Sequence, residues 1–326
     1  MAVFRASSLG LRIATALLAA GLSTAALAYP TKPITIIVPF PAGAGPDVVA
    51  RLLAERLGPQ LKESIVVENR PGASGMVGAT AVARAPADGH TLLLTPNTLF
   101  IAPHLTAGDA KPPVDVIADF DPVIMPSQTT MVMVANPKLG VKNARDFADL
   151  AKKQTISYAS SGNGSVLHIA GALFASSAGV AMTHVPYRGI APAVTDVIAG
   201  HVQVTFAGLA PVTQHVNSGA LTALAVVDPK RSATLPNVPT AIEQGFKDVA
   251  VEGWYAVLAP KGTPRDVVER LNKELNNILV SAEAKQKIEQ TGEVVLGGTP
   301  DDLAKRMKAD YDRYGEIIRR LKITAE

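Results

Sequence analysis

Ile34-Thr35-Ile36-Ile37-Val38-Pro39-Phe40-Pro41-Ala42-Gly43-Ala44-Gly45-Pro46-Asp47 carries the reading of the fold. Ile34 to Phe40 is an unbroken apolar run with β-branched residues, the mark of a strand buried on both faces. Gly43-Ala44-Gly45 interrupts it. Val49, Leu52, Leu53, Leu57 and Leu61 then recur at helical spacing, and Pro46 suits a first helical turn, where its missing N–H costs nothing. Thr155-Ile156-Ser157-Tyr158-Ala159-Ser160-Ser161-Gly162-Asn163-Gly164-Ser165 repeats the design later in the chain. Small residues let a ligand approach the backbone, and the helix that follows presents unpaired N–H groups and a positive dipole end. Each loop reads either as a tight turn or as an anion receptor, and the presence of two such loops brings the receptor reading level with the turn. In open α/β sheets, ligands bind beyond the carboxyl ends of the strands, where both loops fall.

Alternation continues outward from these two units. Strands are expected at 65–68, 91–95, 130–135, 182–185, 202–206, 221–226 and 254–259, with helices at 144–152, 165–177, 191–199 and 212–218. Thr263-Pro264 and Thr299-Pro300-Asp301-Asp302 read as helix starts, with a hydroxyl cap, a proline and acids against the dipole. The last helix, to about Leu321, is long and charged. Alternating β and α elements give an α/β fold class with largely parallel sheets covered on both faces. The 326 residues support about two domains at roughly 150 residues each. Crossings between two lobes are placed at 109–127, rich in Pro and Asp, and at 249–254. The lobes are then 29–127 plus 252–326, and 128–251.

The N-terminal segment 1–28 reads as an export signal. Arg5 and Arg12 precede an apolar stretch, and Ala26-Leu27-Ala28 supplies the small residues of a cleavage site, so the cut is placed after Ala28. Ser, Thr and Gly interrupt the stretch and Pro30 follows, which argues against a membrane anchor. No later segment approaches the roughly 20 apolar residues of a span. The chain has no Cys, which excludes disulfides, thiolate metal sites and a Cys nucleophile. Without Arg5 and Arg12 the charge is 29 cations against 28 anions. That near-neutral body has no broad basic face for nucleic acid.

Several enzyme readings fail on spacing. No Gly-Lys-Ser/Thr closes the first loop as a P-loop. Val48 and Leu167 stand where the dinucleotide fingerprint needs its third glycine, and no G-x-S-x-G elbow occurs. The six histidines lie at least 14 residues apart, without metal-ligand spacing. Neither a catalytic set, a metal site nor a cofactor is therefore expected. Asp47 reads as a dipole-stabilising acid, Arg188 as a solvated loop cation or a carboxylate partner, and Trp254-Tyr255 as cleft lining or hinge packing.

Taken together, these residues resemble the substrate-binding proteins of the tripartite tricarboxylate transporter family, the Bug-type receptors. The resemblance rests on Tyr29-Pro30-Thr31-Lys32-Pro33-Ile34, Val38 to Gly43, Val66-Val67-Glu68-Asn69-Arg70-Pro71-Gly72-Ala73 and Asp88 to Leu93. Tyr158 to Ser165 with His168, His184-Val185-Pro186-Tyr187-Arg188-Gly189 and Leu235 to Thr240 complete it. It implies a two-lobed fold of the type II periplasmic-binding class that closes on a small mono- or dicarboxylate. Membrane transporter subunits would be its partners, the periplasm its location, and the protein a monomer. Carried over residue by residue, the ligand-binding set is Phe40, Ala42, Gly43, Asp47, Asn97, Ser161, Ser165, His168 and Tyr187, to which Arg188 is added. Ala44, Pro46 and Met76-Val77 depart from the family pattern, and Ala207 stands where many members have Asp. A sensor for a membrane signalling partner, or an exported serine hydrolase, are the competing functions.

Overall fold

A computed structural model describes residues 29–105, 112–290 and 292–324; the leader read over 1–28 lies outside the described residues. Strand β1 (Ile34–Val38) runs into helix α1 (Gly45–Leu61), followed by β2 (Ile65–Asn69), α2 (Met76–Ala83) and β3 (Thr91–Pro96). β2 and β3 flank β1 in parallel, with Ile36 opposite Val67 and Leu92. The chain continues through α3 (Thr98–Ile101), β4 (Phe120–Ile124) and β5 (Ser127–Thr129). It then enters a second sheet: β6 (Met131–Ala135), α4 (Ala144–Ala151), β7 (Ile156–Ser160), α5 (Val166–Ala178), β8 (Met182–Pro186), α6 (Ile190–Ala199), β9 (Val204–Gly208), α7 (Ala210–Asn217) and β10 (Thr222–Val226). It returns as β11 (Gly253–Pro260), α8 (Arg265–Leu279), α9 (Ala282–Gln290), β12 (Glu293–Val295) and α10 (Pro300–Leu321).

The first sheet has the order β12-β5-β11-β3-β1-β2, with β4 also paired to β11, and the second has the order β10-β6-β9-β7-β8. One motif occurs twice. β1-α1-β2-α2-β3 gives the spatial order β3-β1-β2, and β7-α5-β8-α6-β9 gives β9-β7-β8. All pairings within these units are parallel.

The sheets are mixed rather than largely parallel. β11 lies antiparallel to β3, β4 and β5, and β6 lies antiparallel to β9 and β10. The reason is topological. A helical crossover returns the next strand in the same direction, whereas β6 and β11 arrive from the other sheet and enter head to tail. Three short strands escaped the sequence reading. β4 contains Asp121-Pro122, which an edge position tolerates, and β5 and β12 have three residues each.

Helix ends follow local chemistry. Thr299 and Asp302 form a reciprocal capping box, with Pro300 next in line, as the sequence suggests. Thr263 differs: its hydroxyl donates to the Pro260 carbonyl at 2.7 Å, and α8 begins two residues later with Pro264 at its N-cap.

α10 spans the molecule. Leu303 and Met307 pack with Phe100, Trp254 and Leu258 of the first sheet, while Tyr314, Ile317 and Ile318 pack with Phe147, Phe174 and Phe206 of the second. Among the described residues no helix is long and apolar enough to cross a membrane.

Candidate functional site

The two glycine-bearing loops leave the carboxyl ends of the equivalent strands β1 and β7. In the first, Ala42 and Gly43 are exposed and Phe40 is half-buried. Gly43 has φ +81° with open space around it, a conformation that glycine adopts without penalty. Asp47, buried in the first turn of α1, braces this loop from below. Its carboxylate accepts from the Gly43 amide at 2.8 Å, from Arg51 Nε at 3.0 Å and from Asn69 Nδ2 at 2.8 Å. Burial alone would raise its pKa, but hydrogen bonds from Arg51, Gly43 and Asn69 hold it below the usual range. Asn69 also donates to the Phe40 carbonyl at 3.0 Å, so one carboxylate and one amide set the loop's shape.

The second loop is braced by neutral groups. The Gly162 amide donates to Ser160 Oγ at 3.1 Å and the Gly164 amide to His168 Nδ1 at 3.1 Å. Ser165 caps α5, accepting from the His168 amide at 3.2 Å. His168 stacks on His184 with ring centroids 3.8 Å apart and 7° between planes. Burial pushes both imidazoles down to about 4, and for His168 the neighbouring His184 adds to the effect. Ser161 is half-buried, and its hydroxyl makes no hydrogen bond among the described residues.

Ser160 and His184 are the nearest approach to a serine–histidine pair, at 2.6 Å. The Ser160 hydroxyl donates to the Gly162 carbonyl at 3.0 Å, so the imidazole is the donor between them. A nucleophile needs the reverse direction, with the base taking the hydroxyl proton. Ser160 is also fully buried. Among the described residues, no three His, Asp or Glu side chains are grouped to hold a metal.

The sequence over residues 49–323 matches the model of the tripartite tricarboxylate transporter family receptor, TctC. The chain belongs to that family. BugT of Bordetella pertussis is 36% identical over 313 residues, 95% of each chain. Among solved structures, Rpa4515 of Rhodopseudomonas palustris, determined with adipate, superposes with a TM-score of 0.82 at 31% identity, over 91% of this chain and 99% of that one. MatC from the same organism, with bound malate, gives 0.78 at 28% identity, over 89% and 100%.

The remaining candidate residues divide between support and surface. Tyr187 donates its hydroxyl to Asp196 at 2.6 Å, and its amide to the Ser160 carbonyl at 3.0 Å. Burial first, and then Asp196, push the phenol up to about 12. Arg188 beside it is exposed and forms no ion pair among the described residues. Asn97 lies in neither loop. It is buried and donates to the Glu252 carbonyl at 3.0 Å, while its amide bonds the Trp254 carbonyl at 2.9 Å, clamping the return crossing. Ala207 is fully buried in the apolar cluster of the second sheet with Val132 and Val134.

A further segment, outside the candidate set, lies against the first loop. Gly72-Ala73-Ser74-Gly75 has φ values of +138°, +46°, +53° and +98°, and a Cβ on Gly75 would sit 3.6 Å from the Phe40 ring. Non-glycine residues in the left-handed region cluster at functional loops. The Pro71-Gly72 turn was the available signal. Two shallow depressions of about 550 and 380 Å³ lie instead at the amino ends of β2 and of β7 and β8, away from the loops.

Proposed function

We propose that this receptor captures a small organic carboxylate between two lobes, built on the two sheets and divided near residues 127–130 and 251–252. It passes the ligand to membrane transporter subunits. The observation that carries the reading is the pair of equivalent loops, each braced from within, so that their outer donors face a ligand. First-turn helix amides have no intrahelical partner, and the α1 and α5 starts supply such donors beside the Ser161 hydroxyl, while Gly43, its own amide held by Asp47, leaves open space for a ligand to approach. Phe40 offers an apolar platform. The acids bonded near the loops are already occupied, Asp47 as above and Asp196 by Tyr187 and His201. Arg188 is available. The balance favours an anion without an ammonium group, in keeping with the adipate and malate bound by the two structural relatives. The receptor acts in the periplasm as a monomer, after cleavage behind Ala28.

A thermal-shift panel of adipate, malate, monocarboxylates and amino acids tests the proposal. An ammonium-free carboxylate should raise the melting temperature, with calorimetry confirming one site. A shift from an amino acid alone, absent with its amine-free analogue, would overturn it.

A further inference from the structure

The imidazole pair beneath the second loop does more than fill space. His168 and His184 come from different elements, α5 and β8, yet lie face to face at 3.8 Å. Each ring ends on a different part of the loop. His168 Nδ1 accepts from the Gly164 amide, which fixes its tautomer with the proton on Nε2. His184 Nε2 reaches Ser160 Oγ, and Ser160 in turn bonds both the amide and the carbonyl of Gly162. Two of the loop's glycine amides are thereby turned inward, at alternate positions. Ser161 stands between the inward-held Ser160 hydroxyl and Gly162 amide.

We propose that the stacked His168–His184 pair positions the carboxylate-binding loop of the second lobe by drawing the Gly162 and Gly164 amides inward, so that Ser161 is presented to the ligand. Both are positioning residues. The inference rests on the carboxylate reading of the same loop and adds to it a condition: both rings must be neutral. A proton on His168 Nδ1 removes the acceptor that Gly164 uses, and two cations at stacking distance repel. Tyr158 on β7, with ring centroids 6.3 and 5.0 Å from the two imidazoles, and Tyr314 on α10 are the titratable groups of the surrounding cluster. Among the described residues no acid or base side chain bonds to either ring, so nothing nearby would compensate a charge. Their depressed pKa values fit that environment. Affinity should therefore hold through neutral pH and fall as pH drops toward about 4.

Two arms test this. In ligand-free protein, amide hydrogen exchange by NMR should show Gly164 exchanging about five- to tenfold faster in His168→Ala, the loss of one hydrogen bond. Gly162 should respond likewise in His184→Ala. His168→Asn, whose side-chain oxygen takes the place of Nδ1, should restore Gly164 protection, and this variant serves if the alanine form does not fold. In the second arm, adipate and malate affinities are measured from pH 7 to 4.5 for wild type and for His168→Asn/His184→Gln. Ligand protonation is common to both proteins, so the ratio isolates the pair: the wild type should lose affinity on acidification and the double variant should lose less. Unchanged glycine exchange in the His168 and His184 alanine variants, or parallel pH profiles, would overturn the assignment. If neither acid binds, the monocarboxylate that raises the melting temperature takes their place in this arm, and a wild type that binds no ammonium-free carboxylate would overturn the carboxylate reading itself.

Discussion

The two βαβαβ units place a loop at the same point of the same topology, yet they hold it with opposite chemistry. The first loop hangs on an ionised carboxylate, Asp47, which collects the Gly43 amide, Arg51 and Asn69. The second hangs on two uncharged imidazoles and a buried serine. A charged acceptor makes stronger hydrogen bonds than a neutral one, and leaves a larger deficit when removed. The glycines differ in the same sense. Gly43 faces open space, whereas a Cβ on Gly164 would meet Leu105 Cδ1 at 1.9 Å. The first loop presents exposed backbone, whereas the second is wedged against Leu105 in the turn that follows α3.

The largest expected effect is at Asp47. Asp47→Ala strands Asn69 and Arg51 and should destabilise the receptor by about 3 kcal/mol, seen as a lowered urea midpoint. Asn in its place should recover part of that. If Asp47→Ala is neutral, the first loop does not depend on its carboxylate.

Next come the glycines. Gly164→Ala combines a left-handed φ with a clash and should cost about 2–3 kcal/mol, while Gly43→Ala pays only the conformational term, about 1 kcal/mol. Equal melting temperatures would remove the distinction between a wedged and an open loop.

Acidification should separate the loops by sign and window. Asp47 is held below its ordinary pKa, so its stabilisation is present above the unfolded value and is lost only as pH falls through the lower folded one. The two histidines are depressed from 6.5 to about 4. Their neutral state costs nothing above pH 6.5, and destabilisation grows from there down to about 4. Between those values amide protection should decline in 160–165 before 40–47. The reverse order would break the comparison.

The smallest stability effect is at Arg188. Exposed and without an ion pair, it should change stability by less than about 0.5 kcal/mol when replaced by Ala, while weakening dicarboxylate binding measured by calorimetry.

Much of this was legible in the chain. Ile34–Val38 announces a buried strand through its β-branched apolar run, Ile156–Ser160 follows by repeating the strand–loop–helix design, and the glycines beyond them mark both loops. The mixed sheets were not legible, since strand direction is set where the chain changes sheet, between Thr129 and Met131 and between Val226 and Gly253. Short strands such as Glu293–Val295 carry too few residues for a period. In the site, Asp47 reads correctly as a helix-start acid, but its bond to Asn69 joins residues 22 apart in sequence, and no spacing rule reports that. The spacing of the histidines gives no sign of the His168–His184 stack, because the two rings come from a helix and a strand that meet only in the fold. Asn97 entered through family resemblance, and the structure gives it to the crossing.

Trp254 has a practical consequence. It is the single tryptophan of the chain, buried at the start of β11, where the chain returns from the second sheet. Its indole donates to Asp310 of the bridging helix α10 at 2.7 Å, stacks on Phe100 at 5.4 Å, and has the Arg306 guanidinium 5.8 Å from its ring centre. All tryptophan emission therefore originates at the junction of the two sheets, beside a carboxylate and a guanidinium whose fields tune its colour. A ligand that shifts one sheet against the other should therefore change the emission of unlabelled protein, which a stopped-flow cell can time.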